Sequence, residues 1–162
     1  MKSIRQFTVL ALLFFAGLVL PGCQDPSMVV DINKDIKDRV WGYNEKVIVP
    51  VKIDSIKIPY NIYINLRHTD VYKYSNIFLM IHETGPGLKK KSERKELRLA
   101  LPTGEWLGKG SGNLYSYQIL YKENYFFPKK GTYIFELEQN MRDNPLREVS
   151  DAGIRVEKVL AH

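Results

Sequence analysis

Cysteine is nearly missing from this 162-residue chain, which holds Cys23 and no other. A lone thiol cannot close an internal disulfide, so it needs another explanation. Histidine is as sparse. His68, His82 and His162 have none of the i, i+4 or short paired spacing of zinc ligands, and no metal centre is expected. The early acids Asp31, Asp35 and Asp38 lack the glycine-containing loop of a calcium site and are expected to be solvated. There is no heptad, internal repeat or low-complexity block. The formal charge of +6 is too small an excess to mark a nucleic-acid binder.

Long apolar runs are also absent, with one exception. Lys2 and Arg5 precede an almost wholly apolar stretch over 7–20, and Leu20-Pro21-Gly22-Cys23 closes it. A signal peptide has this three-part form. The stretch falls short of the roughly 20 apolar residues that a membrane span requires. Leu-x-Gly-Cys at its end looks like a bacterial lipobox, which makes Cys23 the expected lipidation site. Acyl chains at about 0.8 kcal/mol per buried CH₂ would then form the anchor. Pro21 departs from the small residue more usual at that place. The expected organisation is a signal peptide at 1–22, a lipidated tether at 23–27 and one domain over 28–162. Removing the leader takes Lys2 and Arg5 and no acids, so the formal charge falls from +6 to +4.

Composition and pattern favour strands. Ten tyrosines and 12% aromatic residues suit a pleated surface. Along 60–67, Tyr60, Ile62, Ile64 and Leu66 alternate with Asn61, Tyr63, Asn65 and Arg67, the period of two of a half-buried strand. The run 46–53 is β-branched, and 77–81 is a continuous apolar run expected of a strand covered on both faces. Further strands are expected at 29–32, 94–101, 115–121, 132–139 and 154–160. A helical turn is expected only near 33–39 or 140–145. Eight short strands with regular turn signals predict an all-β fold, a single antiparallel β-sandwich of jelly-roll-like form. Two hairpins are expected. One joins 77–83 to 94–101 through a solvated loop containing Lys89, Lys90 and Lys91; the other joins 115–121 to 132–139.

The glycine-rich segment 104–112 is the one stretch that invites a chemical reading. It fails the phosphate-loop pattern, because three residues separate Gly104 from Gly108 and Gly110 follows Lys109. It fails the dinucleotide fingerprint, and Ser111 lies in Gly-Ser-Gly rather than a nucleophile elbow. Two readings remain: a loop that lets Trp106 pack beside a sharp reversal, or an interaction loop carrying Trp106, Lys109, Ser111 and Asn113. No nucleophile, base or metal set assembles from sequence, so neither an enzyme nor a cofactor is expected.

Several motifs occur in a distinctive order after the lipobox. They are Asp70-Val71-Tyr72-Lys73-Tyr74-Ser75-Asn76-Ile77-Phe78, Leu101-Pro102-Thr103-Gly104-Glu105-Trp106-Leu107-Gly108-Lys109-Gly110-Ser111-Gly112, Phe127-Pro128-x-x-Gly131-x-Tyr133-x-Phe135, Gln139-x-Met141-Arg142 and Asp151-Ala152-Gly153-Ile154-Arg155-Val156-Glu157. In this order they resemble the gliding-motility lipoprotein GldH family of the Bacteroidetes, over essentially the whole chain after the leader. The resemblance implies a lipid-anchored protein of the cell envelope, on the outer membrane, working with motility and type IX secretion proteins. It brings no catalytic residues.

Two function classes follow. One is a non-catalytic component acting through protein–protein contacts. The other is a lipid-anchored carbohydrate-binding module, which a cleft lined by Tyr72, Tyr74, Trp106 or Tyr115 would favour. A flat apolar patch would favour the protein partner.

Overall fold

The computed structural model describes residues 25–160; Cys23, the leader and His162 lie outside them. Eight long strands carry the fold: β1 (Met28–Asp35), β3 (Val47–Ile53), β4 (Tyr60–Thr69), β5 (Asn76–Gly85), β6 (Leu88–Arg98), β8 (Leu114–Tyr125), β9 (Gly131–Gln139) and β11 (Val149–Lys158). Three short ones accompany them: β2 (Val40–Trp41), β7 (Lys109–Ser111) and β10 (Leu146–Arg147). Among the described residues the single helical element is the 3₁₀ turn Lys37–Arg39, inside the segment where a turn is expected.

The strands form a five-stranded sheet, β1-β11-β4-β8-β7, and a four-stranded sheet, β3-β9-β5-β6, with β2 and β10 paired beside them. All pairings are antiparallel. Among the long strands the first pairs with the last, the second with the seventh, the third with the sixth and the fourth with the fifth. That nesting is the jelly-roll arrangement, a ribbon of paired strands rolled into two sheets.

Alternation decides what lies between the sheets. Along β3, Val47, Val49, Val51 and Ile53 are buried while Ile48, Pro50 and Lys52 are exposed. On β4, Tyr60, Ile62, Ile64 and Leu66 face inward as the period of two predicts. Phe127, Tyr133 and Phe135 fill the centre with them, all at most 2% exposed.

Three expectations need correction. The segment 115–121 does not form a hairpin with 132–139, because β8 belongs to the five-stranded sheet and β9 to the other. The residues between them cross the sandwich and deliver Phe127 to its interior. Lys89, Lys90 and Lys91 lie in edge strand β6 and not in a mobile loop, since the chain reverses at Gly85-Pro86-Gly87-Leu88. Lysines on an exposed edge discourage pairing with a second chain. Finally, β5 is covered on one face only. Ile77, Leu79, Ile81 and Glu83 are buried, whereas Phe78, Met80 and His82 are half-buried on the outer face.

The inward parity of β5 has a further consequence: Glu83, 1% exposed, points between the sheets. A bulge in the β4–β8 ladder places Lys122 opposite inward-facing Ile62, although Gln118 and Leu120 of the same parity pair with outward positions. Lys122 therefore meets Glu83 inside the sandwich. Tyr125 Oη donates to the other carboxylate oxygen at 2.9 Å, and the ammonium lies 4.2 Å from the Tyr125 ring centroid. Burial, with the Glu83 charge next, holds the Tyr125 hydroxyl well above its usual range. Removing one partner strands the other charge out of water. Lys122→Met should therefore cost about 3–5 kcal/mol, while Lys122→Met combined with Glu83→Leu recovers most of it. Denaturant unfolding of the four proteins of this cycle measures the coupling, and a double variant no better than Lys122→Met would refute it.

Candidate functional site

The outer face of the five-stranded sheet is a grid set by register. One cross-strand row runs Asn33–Gly153–Asn65–Gln118, and the next runs Asp35–Asp151–Arg67–Ser116–Lys109. A groove of about 780 Å³ opens over these rows, with Asp31, Arg98 and Leu107 at its margins.

The amide row is hydrogen-bonded from strand to strand. Asn65 Nδ2 donates to Asp31 Oδ1 at 2.7 Å and to Asn33 Oδ1 at 3.0 Å, and Gln118 Nε2 donates to Asn65 Oδ1 at 3.4 Å. Gly153 lies in the middle of this row. A Cβ there would be 2.0 Å from the Ile32 carbonyl oxygen and 2.5 Å from Asn33 Oδ1. No side chain fits, and the missing Cβ lets the Asn33 and Asn65 side chains meet across β11.

The second row holds the charges. Asp151 is fully buried, and Arg67 Nε donates to its Oδ2 at 2.6 Å. Its Oδ1 is buried without a hydrogen-bond partner. Burial pushes the Asp151 carboxyl above the ordinary range, against the pull of Arg67. A buried pair left one bond short contributes little net stability, but it fixes where Arg67 stands. Among the described residues Lys109 and Arg98 have no carboxylate partner.

The glycine-rich segment forms one wall of this groove. Lys109–Ser111 is strand β7, paired with β8 through a tight hairpin, and Gly112 takes φ +61° at its turn, where glycine carries no steric penalty. Lys109, Ser111 and Asn113 are exposed. Trp106 turns the other way. Its ring centroid is 4.4 Å from that of His68 and 5.8 Å from that of Tyr115, so Trp106 packs beside the reversal and leaves the groove. Gly108 sits beneath the Tyr117 ring, where a Cβ would come within 2.6 Å. Packing inside the chain thus accounts for the tryptophan and the close glycine without a partner.

Among the described residues, Tyr72, Tyr74, Trp106 and Tyr115 do not come together to line one cleft. Tyr72 is 4% exposed, Trp106 and Tyr115 surround His68, and Tyr74 Oη donates to Asp143 Oδ2 at 2.6 Å elsewhere. The groove floor is polar instead.

GldH lipoprotein is the description of the family that matches residues 28–156. The chain belongs to the GldH lipoprotein family. It is 38% identical over 113 residues to a gliding motility lipoprotein GldH homolog of Christiangramia forsetii, covering 65% of this chain and 69% of the relative. It is 30% identical over 159 residues to the gliding motility lipoprotein GldH of Flavobacterium johnsoniae, covering 91% and 94%. No solved structure matches.

In this GldH-family chain His68 is buried at the inner end of β4 rather than placed for coordination. No group of three or more His, Cys, Asp or Glu side chains among the described residues could hold a metal ion. Nδ1 of His68 donates to the Thr69 carbonyl at 2.7 Å. The Tyr117 hydroxyl lies 3.0 Å from Nε2 and donates to the Leu99 carbonyl at 2.8 Å. Burial pushes the Tyr117 hydroxyl up to about 12. The same burial lowers the His68 pKa below its ordinary 6.5, against the Thr69 bond. The unfolded chain thus takes up a proton that the folded one resists, so stability falls as pH drops below about 6.5. The loss of melting temperature between pH ~7.5 and ~5.5 should be larger in the native protein than in His68→Gln. Equal losses would refute this assignment.

Sequence reasoning found the wall of the groove and missed its floor. Asn65 and Arg67 were legible as the exposed face of β4, but their alignment with Asn33, Gln118 and Lys109 depends on register. No sequence spacing encodes it.

Proposed function

We propose that this protein is a lipid-anchored component of the cell envelope that serves gliding motility through protein–protein contacts, without catalysis of its own. The family match across residues 28–156 carries this reading, and the Flavobacterium johnsoniae relative, aligned over nearly its whole length, bears gliding motility in its name. The lipobox at Leu20-Pro21-Gly22-Cys23 supplies the anchor, through acylation of Cys23. Residues 1–22 are the leader, 23–27 the tether and 28–162 the domain, held at the outer membrane. The β7–β8 hairpin is the contact element. Lys109, Ser111 and Asn113 are exposed on it, while Trp106 anchors its base against His68. An anchored inner end and a solvated tip make a rigid projection that a partner can grip at little ordering cost.

Two experiments test the reading. Cys23→Ser should abolish incorporation of a fatty-acid analogue and leave the precursor uncleaved or mislocalised. Equal labelling of native and variant protein would exclude lipidation at Cys23. Asn113→Glu and Lys109→Glu should each abolish motility, or recovery of envelope partners by cross-linking, at unchanged melting temperature and envelope abundance. Variants that are stable, localised and fully functional would remove the hairpin as the contact element.

A further inference from the structure

The hairpin tip leaves the groove behind it unexplained. That groove combines three features on the outer face of one sheet. A row of side-chain amides from Asn33, Asn65 and Gln118 crosses β1, β4 and β8. A glycine in the row, Gly153, lets Asn33 and Asn65 join across β11, which makes the row continuous. Three cations, Arg67, Arg98 and Lys109, line the same cavity. Of these, Arg67 is held by the buried Asp151, and the other two have no carboxylate partner among the described residues. The one acid in the lining, Asp31, is already engaged by Arg155 Nη1 at 2.9 Å and by Asn65.

We propose that this groove binds an acidic saccharide, with Arg67, Arg98 and Lys109 meeting its anionic group and the amide row meeting its hydroxyls. An amide presents both donors and acceptors, as a sugar hydroxyl does. Within the row Asn65 spends both Nδ2 bonds on Asp31 and Asn33, which fixes its orientation, while the Gln118 carbonyl and the Asn33 Nδ2 are left for a ligand. Asn33 and Gln118 stand three strand spacings apart in the order β1-β11-β4-β8, roughly 14 Å between backbones, a span that suits more than one sugar ring. The anionic group is a carboxylate or a phosphate; guanidinium groups bind either.

An acidic peptide is the competing ligand, and the geometry disfavours it. Extended peptides pair with a free sheet edge through their main chain. This groove lies on the face of the sheet, and its cations and amides are side chains that face outward from the ladder and not main-chain groups of an edge. Sugar stacking does not enter either, because the aromatic rings of Tyr72, Tyr115 and Trp106 are turned to His68. Recognition is polar and charged, so binding weakens as salt rises.

The proposal shares Lys109 with the hairpin reading, so the groove variants are placed at Arg98 and Gln118 and leave the exposed tip residues Lys109, Ser111 and Asn113 unchanged. The full-length protein, purified in detergent, is titrated by calorimetry with trigalacturonic acid, a mannose phosphate, neutral maltotriose and a poly-aspartate peptide of similar length. Binding of trigalacturonic acid or of mannose phosphate, with maltotriose and the peptide at background, is the expected result. Which of the two binds distinguishes carboxylate from phosphate. Arg98→Gln and Gln118→Ala should each weaken binding about tenfold at unchanged melting temperature, and Asn113→Glu should bind as the native protein does. Absence of binding by both acidic sugars would overturn the proposal. Peptide binding equal to or tighter than the sugars would do so too, as would affinity untouched by both groove variants. A groove that binds normally in Asn113→Glu while motility is lost separates the two functions, because the contact element can fail without the site.

Discussion

Every long strand in this protein must bury one face and expose the other, and the nested pairing β1·β11, β3·β9, β4·β8 and β5·β6 fixes which face each one gives up. Apolar positions of all eight strands are thereby driven into one interior. Their polar partners, at the alternate positions, are gathered onto two outer surfaces. On the five-stranded sheet this gathering places amides in one row and charges in the next. The candidate site is thus a by-product of the same constraint that builds the core: what is excluded from the interior on β1, β4, β8 and β11 is brought together outside.

Two charged groups break the segregation, and they do so in opposite ways. Glu83 follows the parity of β5 into the interior, and a bulge in β8 brings Lys122 to meet it. Asp151 follows the parity of the outer face but is buried there by its neighbours, with one oxygen partnered by Arg67 and the other unpartnered. The interior pair is satisfied by an ammonium and a tyrosine hydroxyl. Asp151 is not fully satisfied, and it stands directly beside the groove.

The glycine-rich segment shows how a single stretch can serve packing and presentation together. Trp106 and Gly108 face inward against His68 and Tyr117. Three residues later Ser111 is in solvent at the end of a two-stranded projection. Burying the base removes freedom from the tip without covering it. A tip built this way is ordered by the chain's own packing, and its polar surface stays in water.

Alternation along 60–67, the β-branched density of 46–53 and the spacing of turn residues were enough to establish an all-β sandwich, because period-two burial is a local property of the chain. The order of motifs from Asp70 to Glu157 was enough for the family. The lipobox, too, is local. Pairing was not. Whether 115–121 returns to 132–139 or crosses to the opposite sheet depends on which strands find each other, and nothing within either segment records that. The same holds for the bulge that turns Lys122 inward and for the register that aligns Asn33, Gly153, Asn65 and Gln118. These are long-range relations, with partners separated by many tens of residues, and each is stabilised by the whole sandwich rather than by its own sequence. The sequence by itself determined the class of fold and the family. Only the tertiary structure decided where the polar residues would converge, because convergence across strands is set by register.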